Sequence, residues 1–300
     1  MNIDLNKRIY KLFSSKYIIC VMYIPALLLL IMFILIPFFK GINISFTDWD
    51  GYSQHYNYVG MQKFINIFTD SRVIRTIRNT FIYGFGSALC QNVLGFAFAL
   101  AFTKNKGTSR FMRTLIYLPT IVSGLIMGYI WYFFFQYSGG AINDIFKVMG
   151  IEPIDWLANG TRAVFIITCV NIFQFLGIAM VIYIAGLKDI PEEYYEAARI
   201  DGASSFNMLR FITLPLIMPS INASVVMNVI GGLKLFDVIM ALTKGGPGYD
   251  TMSLSTMSYT LYFARADAGY SAALGIFMVI IIAIISLSML VFFRKREIEL

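Results

Sequence analysis

Amide side chains interrupt two of the long apolar stretches in this 300-residue chain. Asn171 and Gln174 are three residues apart and so share one face of a helix, while Asn228 lies in a later stretch with Asn222 and Ser224. Polar groups in hydrocarbon are costly, so each marks either a polar path or a hydrogen bond between packed helices. Amides and hydroxyls both donate and accept hydrogen bonds, so these five side chains could line one cavity that takes a hydroxyl-rich solute. Rings that could stack on the apolar faces of such a solute are Phe173, Phe175, Tyr129 and Trp131.

A second candidate group, an outer gate, lies near the end of the fifth apolar stretch and comprises Gly231, Gly232, Lys234 and Asp237. Lys234 and Asp237 are three residues apart, so we expect a neutralising pair on one helix, near the outer third of the membrane and without direct solute contact. The double glycine predicts a hinge, a close helix crossing or a half-broken transport helix.

The loop 188–214 has the pattern of two short helices joined at a glycine. Asp189 is placed to cap the first helix and Pro191 suits its opening turn, which predicts a start near residue 190. Gly202 offers the left-handed backbone that ends a helix, and Ser204 can cap the next one. The loop is therefore predicted to form a helix-turn-helix.

Small and charged residues lie side by side on the first of these helices. Ala197 and Ala198 let another backbone approach closely, while Glu196 and Asp201 can accept hydrogen bonds from basic groups of a partner. Such a surface suits the docking of another protein. An ordinary amphipathic connector that packs under the bundle is the alternative.

Several kinds of chemistry lack the residues they require. The only histidine is His55, and Cys20, Cys90 and Cys169 are far apart without a CxxC spacing, so we predict no metal site and no serine, histidine and acid constellation. The chain has no GxxxxGK[ST] loop to hold nucleotide phosphates. We therefore predict a protein that is not an enzyme and has no cofactor.

The composition indicates that lipid is the solvent for much of the chain. Of its residues, 58% are hydrophobic and only 14% are charged, and the mean hydropathy is +0.70. The formal net charge of +7 comes from basic residues between long apolar stretches, where anionic headgroups are the natural counterions. We expect contact with membrane lipid and no nucleic-acid binding.

Six stretches are long enough to cross a bilayer as helices, since a core of about 30 Å needs about 20 apolar residues. The predicted fold is an all-α integral membrane protein with six transmembrane helices. Its membrane domain covers 18–293, between an N-terminal segment 1–17 and a C-terminal tail 294–300. The predicted spans are 18–39, 79–103, 112–135, 162–187, 215–243 and 271–293.

Lysine and arginine are biased towards one side of these spans. Fourteen lie on the side that holds both termini and the loop 188–214, and nine lie on the opposite side. Positive charge favours the cytoplasm, so we predict a multi-pass protein of the cell membrane with both termini inside. Arg72, Arg75 and Arg78 run against this bias, and their spacing predicts a short amphipathic helix on the outer surface, or a solvated helix end.

The loop 188–214 resembles the EAA signature of importer permeases of the ATP-binding-cassette class. Sequence stretches 45–51, SFTDWDG, and 236–251, FDVIMALTKGGPGYDT, together with DGA at 201–203, are similar to the sugar branch of that family. This branch includes permeases for maltose, multiple sugars and glycerol phosphate. With six spans in matching positions, the resemblance covers nearly the whole chain. The signature positions, all occupied with the family's spacing, are Glu196, Ala197, Ala198, Gly202, Ile212, Leu214 and Pro215.

This resemblance implies a permease subunit that pairs with a second, similar permease, a dimeric ATPase and an outer sugar-binding protein. It implies that the EAA helix inserts into a cleft on the ATPase, and that the positions of Asn171, Gln174 and Asn228 contact the sugar. A permease for glycerol phosphate or another polar solute is the alternative. A stand-alone secondary transporter is disfavoured, because the sequence shows no inverted repeat and no ionisable relay beyond Lys234 and Asp237. A membrane enzyme is disfavoured, because a single loop histidine cannot complete a serine, histidine and acid constellation and no metal cluster is visible.

Overall fold

The computed structural model describes residues 16–103 and 107–295. Positions 1–15, 104–106 and 296–300, which hold most of the two predicted termini, lie outside the described residues. The predicted all-α membrane fold is confirmed. Its α-helices are Lys16–Leu30, Ile36–Ile44, Gln62–Thr69, Ser71–Phe81, Ser87–Phe102, Gly107–Ile121, Gly124–Phe135, Ala141–Val148, Gly160–Asp189, Glu192–Ile200, Ser205–Met208, Leu214–Leu216, Met218–Leu233, Asp237–Leu242, Leu254–Phe263 and Ala268–Arg294.

Five helical segments of the described chain are long and apolar enough to cross a membrane, and a bent pair of helices makes a sixth if it counts as one span. Each segment overlaps one of the six predicted spans. Spans 1 to 6 are Tyr23–Ile44, Ser71–Phe102, Gly107–Ile121 with Gly124–Phe135, Gly160–Asp189, Met218–Leu242 and Ala268–Arg294.

Span 2 begins earlier than its hydropathy indicates. Asp70 caps it by accepting a hydrogen bond from the backbone N–H of Arg72, and the helix continues through a single π-helical turn at Ile82–Gly86. Arg72, Arg75 and Arg78 therefore belong to the first turns of span 2. The prediction of a separate surface helix is wrong, because no proline or cap separates these arginines from the apolar stretch.

Span 3 is bent rather than straight. Its two helices, Gly107–Ile121 and Gly124–Phe135, meet at 98°. Pro119 lies in the last turn of the first helix, and the Ser123 hydroxyl accepts a backbone hydrogen bond that starts the second. The prediction of one continuous helix over 112–135 is therefore wrong.

Span 5 is also interrupted. The first helix ends at Leu233, and a new helix begins at Asp237 after three residues outside any helix. Lys234 and Asp237 therefore do not share a helix, and the salt bridges formed within the described residues do not include this pair. The predicted neutralising pair is wrong, because the double glycine precedes a true break in the helix.

Span 4 forms the centre of the bundle. It packs against spans 2, 3 and 5, and half of its most apolar stretch is buried. At one crossing, a Cβ on Gly177 would come within 2.7 Å of the Tyr117 Cα in span 3. Glycine at this position lets the two backbones approach closely, which matters in lipid because the hydrophobic effect does not drive helices together there.

A buried polar cluster ties spans 2, 4 and 5 together. The side-chain oxygen of Asn92 accepts hydrogen bonds from the hydroxyls of Tyr183 and Ser224, both at 2.7 Å. The Asn92 amide donates to the carbonyl of Ala88 in its own helix. Ser224 is fully buried, so its hydroxyl serves contacts between spans.

Span 1 is exposed along its apolar length. Its main contacts within the chain are those between Ile36–Ile44 and span 6. The remainder presents apolar side chains such as Leu28 and Phe33, which are 60% and 66% exposed. A helix of this kind needs lipid or another subunit around it.

Loops 45–61, 136–159 and 243–267 lie at one end of the bundle, which we call the cap. The N–H of Gly269 donates to the carbonyl of Trp49, and Lys63 pairs with Asp267 at 2.8 Å. These contacts fasten the first loop to the start of span 6, so the cap is an ordered part of the fold.

Carboxylates in and beside the cap are held in their charged form by local hydrogen bonds. The hydroxyl and N–H of Ser53, with the N–H of Tyr52, lower the pKa of Asp50 to about 2. The Arg72 guanidinium likewise lowers the pKa of Asp70. Both turns therefore keep their charged acceptors at any pH well above these lowered values.

Candidate functional site

A cavity of about 330 Å³ opens between spans 2, 4 and 5, beside the breaks in spans 3 and 5. The predicted substrate-path residues Asn171, Gln174 and Asn228 line it, and so do all four predicted gate residues, Gly231, Gly232, Lys234 and Asp237. The structure thus brings the two predicted groups together around one space. The remaining lining residues are Gln91, Gly124, Phe175, Ile178, Met227, Leu235, Phe236 and Val238.

The three predicted amides each use their nitrogen to form a structural hydrogen bond. Asn171 Nδ2 donates to the Ser87 hydroxyl in span 2 at 2.8 Å, and Gln174 Nε2 donates to the Val122 carbonyl at the bend of span 3 at 2.9 Å. Asn228 Nδ2 donates to the Ser224 hydroxyl in its own helix at 3.3 Å. The interhelical role that the sequence left open is therefore present for Asn171 and Gln174.

The amide oxygens differ from the nitrogens in their hydrogen bonding. Gln91 Oε1, Asn171 Oδ1 and Gln174 Oε1 are buried without a hydrogen-bond partner in the described part of the chain. A buried acceptor without a donor costs about 1–3 kcal/mol, so these three residues mark a polar region of the cavity wall whose acceptors are not satisfied by the described residues.

Gln91 was missed by sequence analysis. It lies in span 2, is 1% exposed, and donates from Nε2 to the backbone carbonyl of Asn171. The signal was available, since Gln91 and Asn92 are adjacent polar residues within an apolar stretch. Nothing in that pattern, however, distinguished the residue that faces the cavity from its neighbour in the Asn92 cluster.

The breaks in spans 3 and 5 lie against each other at one end of the cavity. The helix Asp237–Leu242 packs along Gly124–Phe135, and a Cβ on Gly124 would lie 2.9 Å from the Asp237 Cβ. Lys234 and Asp237 both expose their side chains here. The end of the cavity is therefore built from two helix breaks in contact.

The two adjacent glycines before the break have different surroundings. A Cβ on Gly232 would overlap the carbonyl oxygen of Tyr83 and lie 2.8 Å from the Gly84 Cα in span 2. A Cβ on Gly231 would meet nothing within 4 Å. Gly232 therefore forms a close helix crossing, while Gly231 borders open space in the cavity.

Of the four aromatic residues that were expected beside the solute path, only Phe175 lines the cavity. Trp131 packs against Phe173 with ring centroids 5.7 Å apart, and Phe173 and Tyr129 are 47% and 45% exposed away from that cavity. The expectation for these three residues is wrong. The bend in span 3 turns the helix of Tyr129 and Trp131 away from the path assumed for a straight span, and Phe173 lies on a different face of span 4 from Asn171 and Gln174.

The loop 188–214 folds as the predicted helix-turn-helix, which we call the elbow. Its first helix is Glu192–Ile200, with Pro191 rather than Asp189 at the cap position. The turn at Gly202 has φ +73°, and the N–H groups of Ala203 and Gly202 donate to the carbonyls of Ala198 and Arg199. This pair of bonds is the Schellman arrangement that glycine favours at a helix end. The cap prediction for Asp189 is wrong because span 4 continues through that residue.

The elbow presents both charge and apolar surface. Glu196, Ala197 and Asp201 are exposed, whereas Ala198 is buried. Ile200 and Phe206 are 87% and 65% exposed. The remaining signature positions, Ile212, Leu214 and Pro215, are partly buried where the elbow meets the bundle. The exposed first helix thus has the mixed surface that suits contact with another protein.

Within the described residues, no group of three or more histidine, cysteine, aspartate or glutamate side chains could hold a metal ion.

A bundle of apolar helices with a polar central cavity, two broken spans and an exposed helical elbow defines a membrane transport subunit. The chain belongs to the family of binding-protein-dependent transport system inner membrane components, whose model matches residues 91–298. It is therefore a multi-pass permease subunit of an ATP-binding-cassette importer and not an enzyme.

Two relatives illustrate this membership. A "Probable starch degradation products transport system permease protein" of Thermoanaerobacterium thermosulfurigenes is 34% identical over 92% of this chain and 94% of the relative. A multiple sugar-binding transport system permease protein of Streptococcus mutans is 31% identical over 92% of this chain and 94% of the relative.

A solved structure has the same architecture over almost the whole length. It belongs to a bacterial ABC transporter involved in the import of the acidic polysaccharide alginate, and one of its chains matches with a TM-score of 0.81 and 26% identity. The match covers 96% of this chain and 99% of that one.

Proposed function

We propose that this permease forms the translocation path for a sugar or oligosaccharide, together with a second, similar permease. The observation that carries the proposal is the cavity lined by the amides of Gln91, Asn171 and Gln174, whose oxygens lack donors within the described residues. Sugar hydroxyls supply such donors. The relatives described above, which are named for starch products and multiple sugars, support the same substrate class.

We propose that the broken ends of spans 3 and 5 act as a gate at the cap end of the cavity. Lys234 and Asp237 are exposed there without a salt bridge in the described chain, and a short helix that pivots at a break changes the opening without unfolding a span. Lys234 alone would suit an anionic solute such as glycerol phosphate. Asp237 lines the same wall, which favours a solute without strong charge.

We propose that the elbow docks on a separate, dimeric ATPase subunit. Its exposed residues Glu196, Ala197, Asp201 and Ile200 supply the contact surface, while Pro215 and the buried Thr213 join it to span 5. A rigid elbow transmits rotation of the ATPase to span 5 and so to the cavity.

The charge bias of the loops supports an orientation with the elbow in the cytoplasm and the cap outside. In this orientation residues 1–17 and 294–300 are cytoplasmic, and the cap faces the solute-binding protein of the transporter. The permease domain then covers 18–293, with the coupling loop at 188–214.

Reconstitution of the complete transporter tests the function. The two permeases, the ATPase and the binding protein are purified together into proteoliposomes, and uptake of tritiated oligosaccharides of glucose, xylose and N-acetylglucosamine is measured with and without internal ATP. We expect ATP-dependent uptake of at least one sugar. Uptake that persists without the ATPase subunit, or uptake of glycerol phosphate alone, would overturn the proposal.

A further inference from the structure

Four aromatic rings form a continuous row from the cavity towards the cap. Phe236, on the cavity wall, packs against Tyr259 with ring centroids 5.4 Å apart. Tyr259 packs against Phe263 at 4.7 Å, and Phe263 packs against Tyr262 at 4.8 Å. A Cβ on Gly51 in the first cap loop would lie 3.6 Å from the Tyr262 ring, so the row reaches from the cavity to the cap loop.

The helix Leu254–Phe263 holds this row in place. Its start is a capping box formed by Ser253 and Thr256, and the Ser253 hydroxyl donates to the Leu235 carbonyl at 2.7 Å. The Ser255 hydroxyl donates to the carbonyl of Lys234 at 3.3 Å. The helix is therefore anchored to the break in span 5, beside the cavity, and its opposite end lies against the first cap loop at Gly51.

The two faces of this helix differ in composition. Leu254, Met257 and Leu261 are buried in the apolar core of the cap, whereas Tyr259 and Phe263 are 42% and 62% exposed. A single exposed aromatic residue is common, but a contiguous row of them is typical of a surface that binds a ligand or a partner.

Exposed rings also occur on the spans, as at Phe33, Phe165 and Phe292, so what sets this row apart is its contact with the cavity wall through Phe236. The row also combines flat rings with the hydroxyls of two tyrosines and, on the same helix face, of Ser255. Rings that carry a polar edge match a ligand with apolar faces and a hydroxylated rim.

We propose that Phe236, Tyr259, Tyr262 and Phe263 form a sugar-binding track along which pyranose rings stack as an oligosaccharide passes from the cap into the cavity. This inference rests on the proposed sugar transport. Its argument is the continuity of the row with the cavity through Phe236, which places stacking surfaces before the amides. A longer oligosaccharide covers more of the rings at once, so the track matters more as chain length increases.

Leucine substitutions separate stacking from simple apolar contact. We expect Tyr259→Leu and Phe263→Leu, each in the complete reconstituted transporter, to raise the sugar concentration for half-maximal uptake by roughly two- to tenfold. The effect should be larger for tritiated pentasaccharides than for disaccharides of the sugar series used above. Tyr259→Phe should retain most of the wild-type uptake, because the ring remains. Phe165→Leu is the matched control, since Phe165 is an exposed aromatic of span 4 outside the row.

The outcomes distinguish the track from its alternatives. If both leucine variants transport all chain lengths like wild type, the track is refuted while sugar transport stands. If they lose the second permease on co-purification, the row is a subunit contact and the track is likewise refuted. If the wild-type transporter takes up none of the sugars, the proposed function fails first and the track fails with it.

Discussion

At the scale of single residues, the cavity amides combine structural hydrogen bonds with the solute contact proposed above. The nitrogens of Gln91, Asn171 and Gln174 fasten spans 2, 3 and 4 to one another, which leaves each oxygen fixed in position but without a donor. Fixed acceptors do not have to be ordered when a hydroxyl arrives, so the entropic cost of binding is lower. Structural hydrogen bonding and solute contact are therefore compatible in this cavity.

Gln91 gives the sharpest test of this arrangement. Gln91→Leu keeps the approximate volume but removes the acceptor together with the Nε2 bond to the Asn171 carbonyl, and we expect the half-maximal sugar concentration to rise roughly two- to tenfold, as for the loss of one hydrogen bond to the solute. The measurement is uptake in proteoliposomes. Gln136→Leu is the control, because Gln136 lies in the cap and not on the cavity wall. Equal uptake by both variants would contradict a role for Gln91 in the path.

Gly202 tests the elbow at a single backbone position. Its φ of +73° is strained for a β-branched residue by about 1–2 kcal/mol, and a Cβ there would meet nothing within 4 Å. We expect Gly202→Val to uncouple ATP hydrolysis from uptake while the protein remains in the membrane, since only the turn geometry is disturbed. Uptake and ATPase activity are measured on the same preparation.

Gly60 supplies the matched control for this experiment. It has φ +60° and an equally open environment, but it lies in the first cap loop. Gly60→Val therefore introduces similar backbone strain away from the elbow, and it should leave hydrolysis and uptake coupled. Unchanged coupling in Gly202→Val would remove the support for docking at the elbow.

At the scale of elements, sequence patterns predicted helices well and breaks poorly. The number of membrane-crossing segments, the elbow and its turn at Gly202 followed from hydropathy and capping rules. The bend in span 3 did not, because a hydropathy window averages over Pro119, Ser123 and Gly124, and these residues are also common inside straight membrane helices. Whether such residues bend a span depends on the packing of neighbouring spans.

The same limit explains the error at Lys234 and Asp237. A spacing of three predicts a pair only while the helix is intact, and the break after Leu233 depends on tertiary contacts such as that between Gly232 and Tyr83. Likewise, the sequence placed Asn171 and Gln174 on one face but could not show which part of span 2 lies opposite. Gln91 was therefore visible only in the folded structure.

Alanine substitutions at two neighbouring glycines test the close crossing of spans 2 and 5. Gly232→Ala forces a Cβ into the backbone of Tyr83 and Gly84, so we expect a loss of about 1–3 kcal/mol, typical of overpacking. Gly231→Ala places its Cβ in open space and should be neutral or stabilising by up to about 1 kcal/mol. Thermal unfolding of the purified protein in detergent measures both. A similar midpoint for the two variants would contradict the close crossing.

At the scale of the whole molecule, the proposed assembly gives this chain a second permease as its neighbour in the membrane. Span 1 is exposed along its apolar length, and the cavity borders exposed charged residues at the break in span 5. A path lined on one side only by this chain requires a second wall, which the similar permease would supply. The elbow and the cap lie on opposite sides of this path, so the ATPase and the binding protein can act on it from opposite ends.

The proposed orientation is tested by labelling cysteines placed at two exposed positions, one on the cap and one on the elbow. Tyr52 in the cap is 71% exposed and Ile200 on the elbow is 87% exposed. In a background with Cys20, Cys90 and Cys169 replaced by alanine, Tyr52→Cys should react with a membrane-impermeant maleimide in intact spheroplasts. Ile200→Cys should react only after the membrane is permeabilised, because the elbow is cytoplasmic in the proposed orientation.

Co-expression of the ATPase turns the same reagent into a probe of docking. In permeabilised membranes, Ile200→Cys should react readily without the ATPase and at least several-fold more slowly with it, since a docked subunit covers the elbow. Tyr52→Cys should react at one rate in both preparations, because the cap lies across the membrane from the ATPase. Labelling of Ile200→Cys in intact spheroplasts would contradict the proposed orientation. A labelling rate that is the same with and without the ATPase would contradict docking of the ATPase on the elbow.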